Sequence, residues 1–218
     1  MTQPDVSRHA LVVVDVQQGF DDPWWGTGNN PACDDNIDAL VRHWTEQGRP
    51  VVLVQHASAN PESPLHPDNP GHALKSYLKD VAADMLVTKS VNSSFHGSPD
   101  LDAWLRDNHV PGIVVCGITT NHCCETTARV GGNLGHDVVF AIDATHTFDR
   151  TGPDGDGVPA DELARVTAAN LHGEFATVVT TKQLLAWRVG IPPAAGIPSQ
   201  PGRNFTWDPP GTRGLVCG

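Results

Sequence analysis

The chain has 218 residues, with 14 Lys and Arg against 25 Asp and Glu, for a formal net charge of −11. That length suits one domain whose core needs no disulfide staples. The acidic balance excludes nucleic acid as main partner, because a phosphate backbone calls for a basic face. Apolar runs are strand-sized and fall short of the roughly 18 residues of a membrane span, so no membrane partner is expected. Residues 1–8 are polar and include Pro4, with no apolar signal segment, which predicts a cytoplasmic protein. Five cysteines (33, 116, 123, 124 and 217) lack framework spacing and read as free thiols.

In chain order, Val- and Ile-rich runs at 10–16, 51–55, 85–88, 112–116, 138–142 and 177–179 predict six strands. Several show no polar alternation, as expected of parallel strands buried on both faces. Helices are predicted between them at 34–47, 98–108, 121–134, 161–172 and 181–187. Ile37, Leu40, Val41 and Trp44 give the first its apolar stripe, and Gly48 ends it. Ser98-Pro99-Asp100 opens the second as a cap with Pro in the first turn. The alternation predicts a doubly wound, mostly parallel six-stranded α/β sheet with helices on both faces, a Rossmann-like architecture ordered 3-2-1-4-5-6. The irregular segments 19–32 and 57–71 follow strand carboxyl ends, where such sheets place their ligands. The domain is expected to span 1–189, with 190–218 an extended Pro/Gly-rich tail.

Three residues that could carry chemistry sit at strand ends. Asp15 follows Leu11-Val12-Val13-Val14, where a carboxylate is partly desolvated unless paired; a turn-capping role would also place it there. Lys89 ends Leu86-Val87-Thr88, and a Lys in a buried strand needs a partner or must snorkel to solvent. Cys123 follows the fourth strand at the start of a helix, where the dipole should lower its pKa toward a thiolate; a core cysteine is the alternative, and it suits Cys116 or Cys124 better. Together they offer a base, an orienting cation and a nucleophile. Lys89 would have to reach across two strand spacings of about 4.8 Å to meet Asp15. Phe20, Trp24, Trp25 and Phe95 suggest an aromatic-walled substrate pocket, although the two tryptophans would also suit a subunit contact.

These residues resemble the isochorismatase-like cysteine hydrolases. The similarity rests on Asp15-Val16-Gln17 after an apolar strand and on Lys89 followed by Ser94-Phe95. Its most specific part is Gly117-Ile118-Thr119-Thr120-Asn121-His122-Cys123-Cys124-Glu125-Thr126-Thr127-Ala128. The resemblance implies that Cys123 is the nucleophile, Asp15 its base and Lys89 the steadying cation. It also implies a cis bond at Ile118–Thr119, with the Thr119 and Cys123 N–H groups as oxyanion hole. The expected reaction is cleavage of an amide, lactam or carbamoyl C–N bond of a small molecule through a thioester. A vinyl-ether hydrolase using Asp15 as acid, or a non-catalytic α/β binding protein, are the alternatives.

No cofactor and no metal are expected. Relatives that bind a metal carry Asp-x-His after the second strand, where this chain has Gln55-His56-Ala57. His56, His66 and His72 are scattered loop residues, and His122-Cys123-Cys124 are too close in sequence to close a tetrahedron. The resemblance also predicts a homodimer or homotetramer, in which the tail, with Phe205, Trp207 and Leu215, could clasp a partner.

Overall fold

Residues 5–187 are described by the computed structural model; the predicted tail and Cys217 lie outside them. The apolar runs become β1 (Ala10–Val14), β2 (Val51–His56), β3 (Met85–Lys89), β4 (Gly112–Ile118), β5 (Asp137–His146) and β8 (Thr177–Val179). They form one sheet in the order β3-β2-β1-β4-β5-β8, with every pairing parallel. A hairpin of two-residue strands, β6 (Arg150–Thr151) and β7 (Gly157–Val158), follows β5 and carries no periodic signal in the sequence. The helices are α1 (Cys33–Glu46), α2 (Leu101–Asp107), α3 (Glu125–Asn133), α4 (Ala160–Leu171) and α5 (Thr181–Ala186).

Successive strand residues point to opposite faces. Leu11 and Val13 join a core with Ile37, Leu40, Trp44 and Leu184 from α1 and α5. Val12 and Val14 join the other, with Leu101, Leu105, Ala128 and Leu171 from α2, α3 and α4. Both faces of β1 are therefore dry, which is why its sequence shows no alternation. Trp44 is fully buried, and its Nε1–H donates to His9 O at 2.9 Å, so the largest core side chain leaves no polar atom unpaired.

Several boundaries differ from the sequence reading, β5 most in length, and three of the differences have a clear local reason. Strand β1 stops at Val14 because Asp15 turns the chain with φ +52°, a left-handed conformation that Asp tolerates better than branched residues do. Helix α2 begins at Leu101, because Asp100, not Ser98, is the N-cap: its Oδ1 accepts the Ala103 N–H at 3.1 Å, and the Ser98–Pro99 bond is cis. The helix expected over 121–134 begins instead with a π-turn, Thr120–Cys124, that passes into α3. At the end of β4, Gly117 has φ +125°, and a Cβ there would lie 2.1 Å from Val14 O. Only glycine lets β4 approach β1 this closely just before the chain leaves the sheet.

Candidate active site

The carboxyl ends of β1, β3 and β4 converge on one crevice. Lys89 reaches past β2, and its Nζ donates to Asp15 Oδ2 at 2.6 Å, with both side chains fully buried. His56 is the β2 neighbour of Lys89 in the sheet, and its Nδ1 lies 3.3 Å from the same ammonium. Gln17 explains why the Asp15-x-Gln pattern matters. Its buried side chain donates to His56 O (3.0 Å) and His72 O (2.8 Å), and its Oε1 accepts the His56 N–H at 2.8 Å. It thereby clamps the end of β2 and the 57–72 loop against the turn that carries Asp15.

Cys123 lies within the π-turn after β4. The Ile118–Thr119 peptide is cis, and the Cys124 N–H donates to Thr119 O at 3.1 Å. Two side-chain pairs fix the turn to β5 and its exit: Thr120 Oγ1 to Thr145 Oγ1 (2.9 Å) and Thr147 Oγ1 to Asn121 Oδ1 (2.5 Å). The Cys123 thiol faces Asn92 Oδ1 at 3.6 Å. A carboxylate oxygen of Asp15, a ring nitrogen of His56 and Cys123 Sγ all lie within 4.8 Å of one another. Asp15 Oδ1 is buried without a hydrogen-bond partner. Cys124, by contrast, is fully buried and does not line the cavity that opens onto Cys123.

The electrostatics correct one expectation. Burial pushes the Cys123 thiol up to about 12, the Asp15 carboxylate adds to the rise, and Lys89 only partly opposes it. Desolvation outweighs any helix-end effect, so the resting group is a thiol rather than a ready-made thiolate. For Lys89, burial works to lower the pKa, but Asp15 and Cys123 outweigh it and hold the ammonium charged. His56 is lowered by burial and then by Lys89, and His122 by burial and then by Arg150, so both rings are neutral near pH 7.

A cavity of about 110 Å³ opens onto this group, bounded by Asp15, Thr119 and Cys123 together with Phe20, Trp25 and Leu65. Asn92, His56, His122 and Arg150 complete it. Phe20 and Trp25 stack with Phe148 (ring centroids 6.2 and 5.7 Å) as a small aromatic wall. The other two aromatic candidates lie elsewhere. Trp24 is 56 % exposed and sits edge-on to Trp25, outside the cavity. Phe95 stacks on His136 (5.6 Å) and fills the space beside Gly131, because Ser94 N–H and Oγ bind Thr127 Oγ1 (both 3.0 Å) and turn the ring toward α3.

Asn92 and Arg150 stand outside the sequence expectations, and His122 enters them only as a rejected metal-ligand candidate. Asn92 lies three residues beyond Lys89, and His122 directly precedes the thiol, so proximity to the two motifs was the available signal. His66 and His72 do not join His56 in a ligand cluster; among the described residues the group close enough to hold an ion is Asp15, His56 and Cys123. There the Lys89 ammonium already takes a lone pair from Asp15 and one from His56.

A family model for the isochorismatase domain matches residues 9–183. The chain is 40 % identical over 178 residues to the uncharacterized isochorismatase family protein YrdC of Bacillus subtilis, covering 82 % of this chain and 95 % of that protein. It is 29 % identical over 184 residues to a streptothricin hydrolase of Streptomyces noursei, covering 82 % of this chain and 72 % of that protein. A crystal structure of a putative isochorismatase-family hydrolase from Chromobacterium violaceum superposes with a TM-score of 0.79 at 35 % identity, covering 85 % of this chain and 97 % of that one. The chain belongs to the isochorismatase family and is one of its hydrolases.

Proposed function

We propose that the protein hydrolyses an amide-type C–N bond (amide, lactam or carbamoyl) of a small molecule through a Cys123 thioester. The observation that carries this reading is the division of labour within the Asp15 carboxylate. One oxygen is taken by Lys89, while the other is buried and unpaired beside a protonated thiol. Asp15 accepts the Sγ proton as sulfur attacks the carbonyl carbon, and Lys89 stabilises the charge that moves onto sulfur. The Thr119 and Cys123 N–H groups receive the oxyanion. When the C–N bond breaks, Asp15 returns its proton to the leaving nitrogen. A water then loses a proton to Asp15, attacks the thioester carbon and releases the acid, and that proton returns to Sγ. The name of the streptothricin hydrolase relative supports hydrolytic chemistry in this part of the family.

The test is a screen of small amides, lactams and ureido compounds for release of ammonia or amine. The reading predicts at least one compound cleaved by the native protein and not by Cys123→Ala. Release that persists in Cys123→Ala would overturn covalent catalysis. Turnover of vinyl ethers alone, abolished by Asp15→Asn but not by Cys123→Ala, would establish acid catalysis instead.

A further inference from the structure

His56 lines the cavity and its ring meets the buried ion pair, yet the proposed reaction gives it no task. It closes β2 and pairs with Lys89 in the sheet register. Its main chain is held from both sides, because Gln17 accepts its N–H and donates to its carbonyl. Those bonds belong to the backbone and survive a change of side chain. The ring makes a different contact. Its Nδ1 lies 3.3 Å from Lys89 Nζ, the ammonium that donates to Asp15 Oδ2 at 2.6 Å.

An ammonium has three N–H donors and no lone pair, so the ring nitrogen that meets it must be the acceptor. That fixes the tautomer: His56 is neutral, bare at Nδ1 and protonated at Nε2. The Lys89 side chain is sealed from water, so each of its N–H groups needs a protein partner. Asp15 and His56 take two, and among the described residues no backbone carbonyl takes the third. Cys123 is close enough that it and Lys89 each shift the other's pKa. Two fixed directions leave a tetrahedral ammonium no freedom to spin, and the thiol is the group left to receive the third N–H.

A protonated ring would undo this. It has no lone pair for Lys89, and it would set a second positive charge 3.3 Å from the first. The groups facing the ring are Lys89 from β3, Asp15 from the turn after β1, Cys123 from the π-turn and His72 from the 57–72 loop. Asp15 is the one acid among them, and Lys89 already neutralises it. Burial and Lys89 hold the His56 pKa below its ordinary 6.5, so the ring is neutral near pH 7 and charges on acidification.

We propose that His56 is a positioning residue for the nucleophile: its neutral imidazole takes one Lys89 N–H so that another faces the Cys123 sulfur, and protonating the ring switches that arrangement off. The inference rests on Cys123 as nucleophile, as in the hydrolase reading, and not on which bond is cleaved.

Alkylation of Cys123 by iodoacetamide tests it without turnover, with peptide mapping to assign the label. The sulfur displaces iodide, and its proton passes through Asp15 to water. His56→Leu removes the acceptor. His56→Asn returns one, because its Oδ1 can stand where Nδ1 stood, but it does not titrate. At about pH 7.5 the Leu variant should react at least about tenfold more slowly than the native protein, the lower end for losing a hydrogen bond to a charged group. The Asn variant should react at least about threefold faster than the Leu variant. The native rate should fall on acidification with a midpoint below 6.5 that His56→Asn lacks; an acid limb from Asp15 itself would be common to both. A Leu rate within about threefold of native, an Asn rate no faster than Leu, or a native midpoint unchanged in the Asn variant overturns the proposal. Should the Leu variant fail to fold, the pH profile of His56→Asn decides alone. Labelling that obeys these ratios while no amide is hydrolysed would sink the hydrolase reading and leave the role of His56 standing. Cys123-dependent hydrolysis with labelling indifferent to His56 would do the reverse.

Discussion

Replacing Lys89 by Met keeps the length of the stem and removes the cation from a pair that is wholly out of water. At 2.6 Å and an effective dielectric constant near 20, the mutual attraction is about 6 kcal/mol, set against the cost of having desolvated both charges. Breaking such a pair from one side leaves the other charge stranded and typically costs about 3–5 kcal/mol. For a domain of this size that is a drop of roughly 6–20 °C in Tm, at about 2–4 °C per kcal/mol. Urea unfolding of Lys89→Met, Asp15→Asn and the double variant measures the coupling directly. The double variant should lose clearly less than the sum of the singles, by at least about 2 kcal/mol, because it strands no charge. Additivity within about 0.5 kcal/mol would refute the claim that the two side chains act as one buried pair.

Cys123→Ala should abolish turnover with the fold intact, whereas Cys124→Ala should retain substantial turnover, since its thiol is sealed in the core rather than on the cavity wall; steady-state rates with melting curves check both. The raised Cys123 pKa has a signed consequence for stability. The unfolded chain releases this proton above the ordinary thiol range while the folded chain holds it to about 12, so stability from this group is full below roughly pH 8.5 and is lost as the pH rises toward 12. The native protein should accordingly lose stability more steeply than Cys123→Ala over that alkaline window, as urea midpoints would show. Gly117→Ala would set a Cβ 2.1 Å from Val14 O at a φ of +125°. It should cost about 1–3 kcal/mol and displace the π-turn, read as a fall in both Tm and turnover.

The sheet was legible because its inner strands β1, β2 and β4 are dry on both faces over most of their length and advertise themselves as Val- and Ile-rich runs, while edge strand β3 alternates buried and exposed residues. Asp15, Lys89 and Cys123 were legible for a related reason, each standing where such a run ends. What escaped was set by turns rather than by periodicity. Phe95 carries the composition of a pocket residue, but the Ser94–Thr127 hydrogen bonds decide which way its ring faces. Arg150 lies in a short hairpin with no hydrophobic pattern, and only the close approach of β6 to His122 brings it to the thiol. The direction of the Cys123 pKa shift was misread because helix-end logic is local, whereas desolvation depends on everything packed around the sulfur.

In the proposed reaction Cys123 forms a covalent acyl intermediate with Asp15 as its base. An activated ester tests it without knowledge of the natural substrate, because the p-nitrophenolate of p-nitrophenyl acetate departs without protonation and isolates the attack step. The native protein, quenched in acid soon after mixing, should carry one acetyl group that peptide mapping assigns to Cys123. Asp15→Asn should acquire it roughly 10²–10⁴-fold more slowly, the range expected for loss of a general base. An acetyl group on another residue, or one formed on Cys123 at an unchanged rate in Asp15→Asn, would contradict the account.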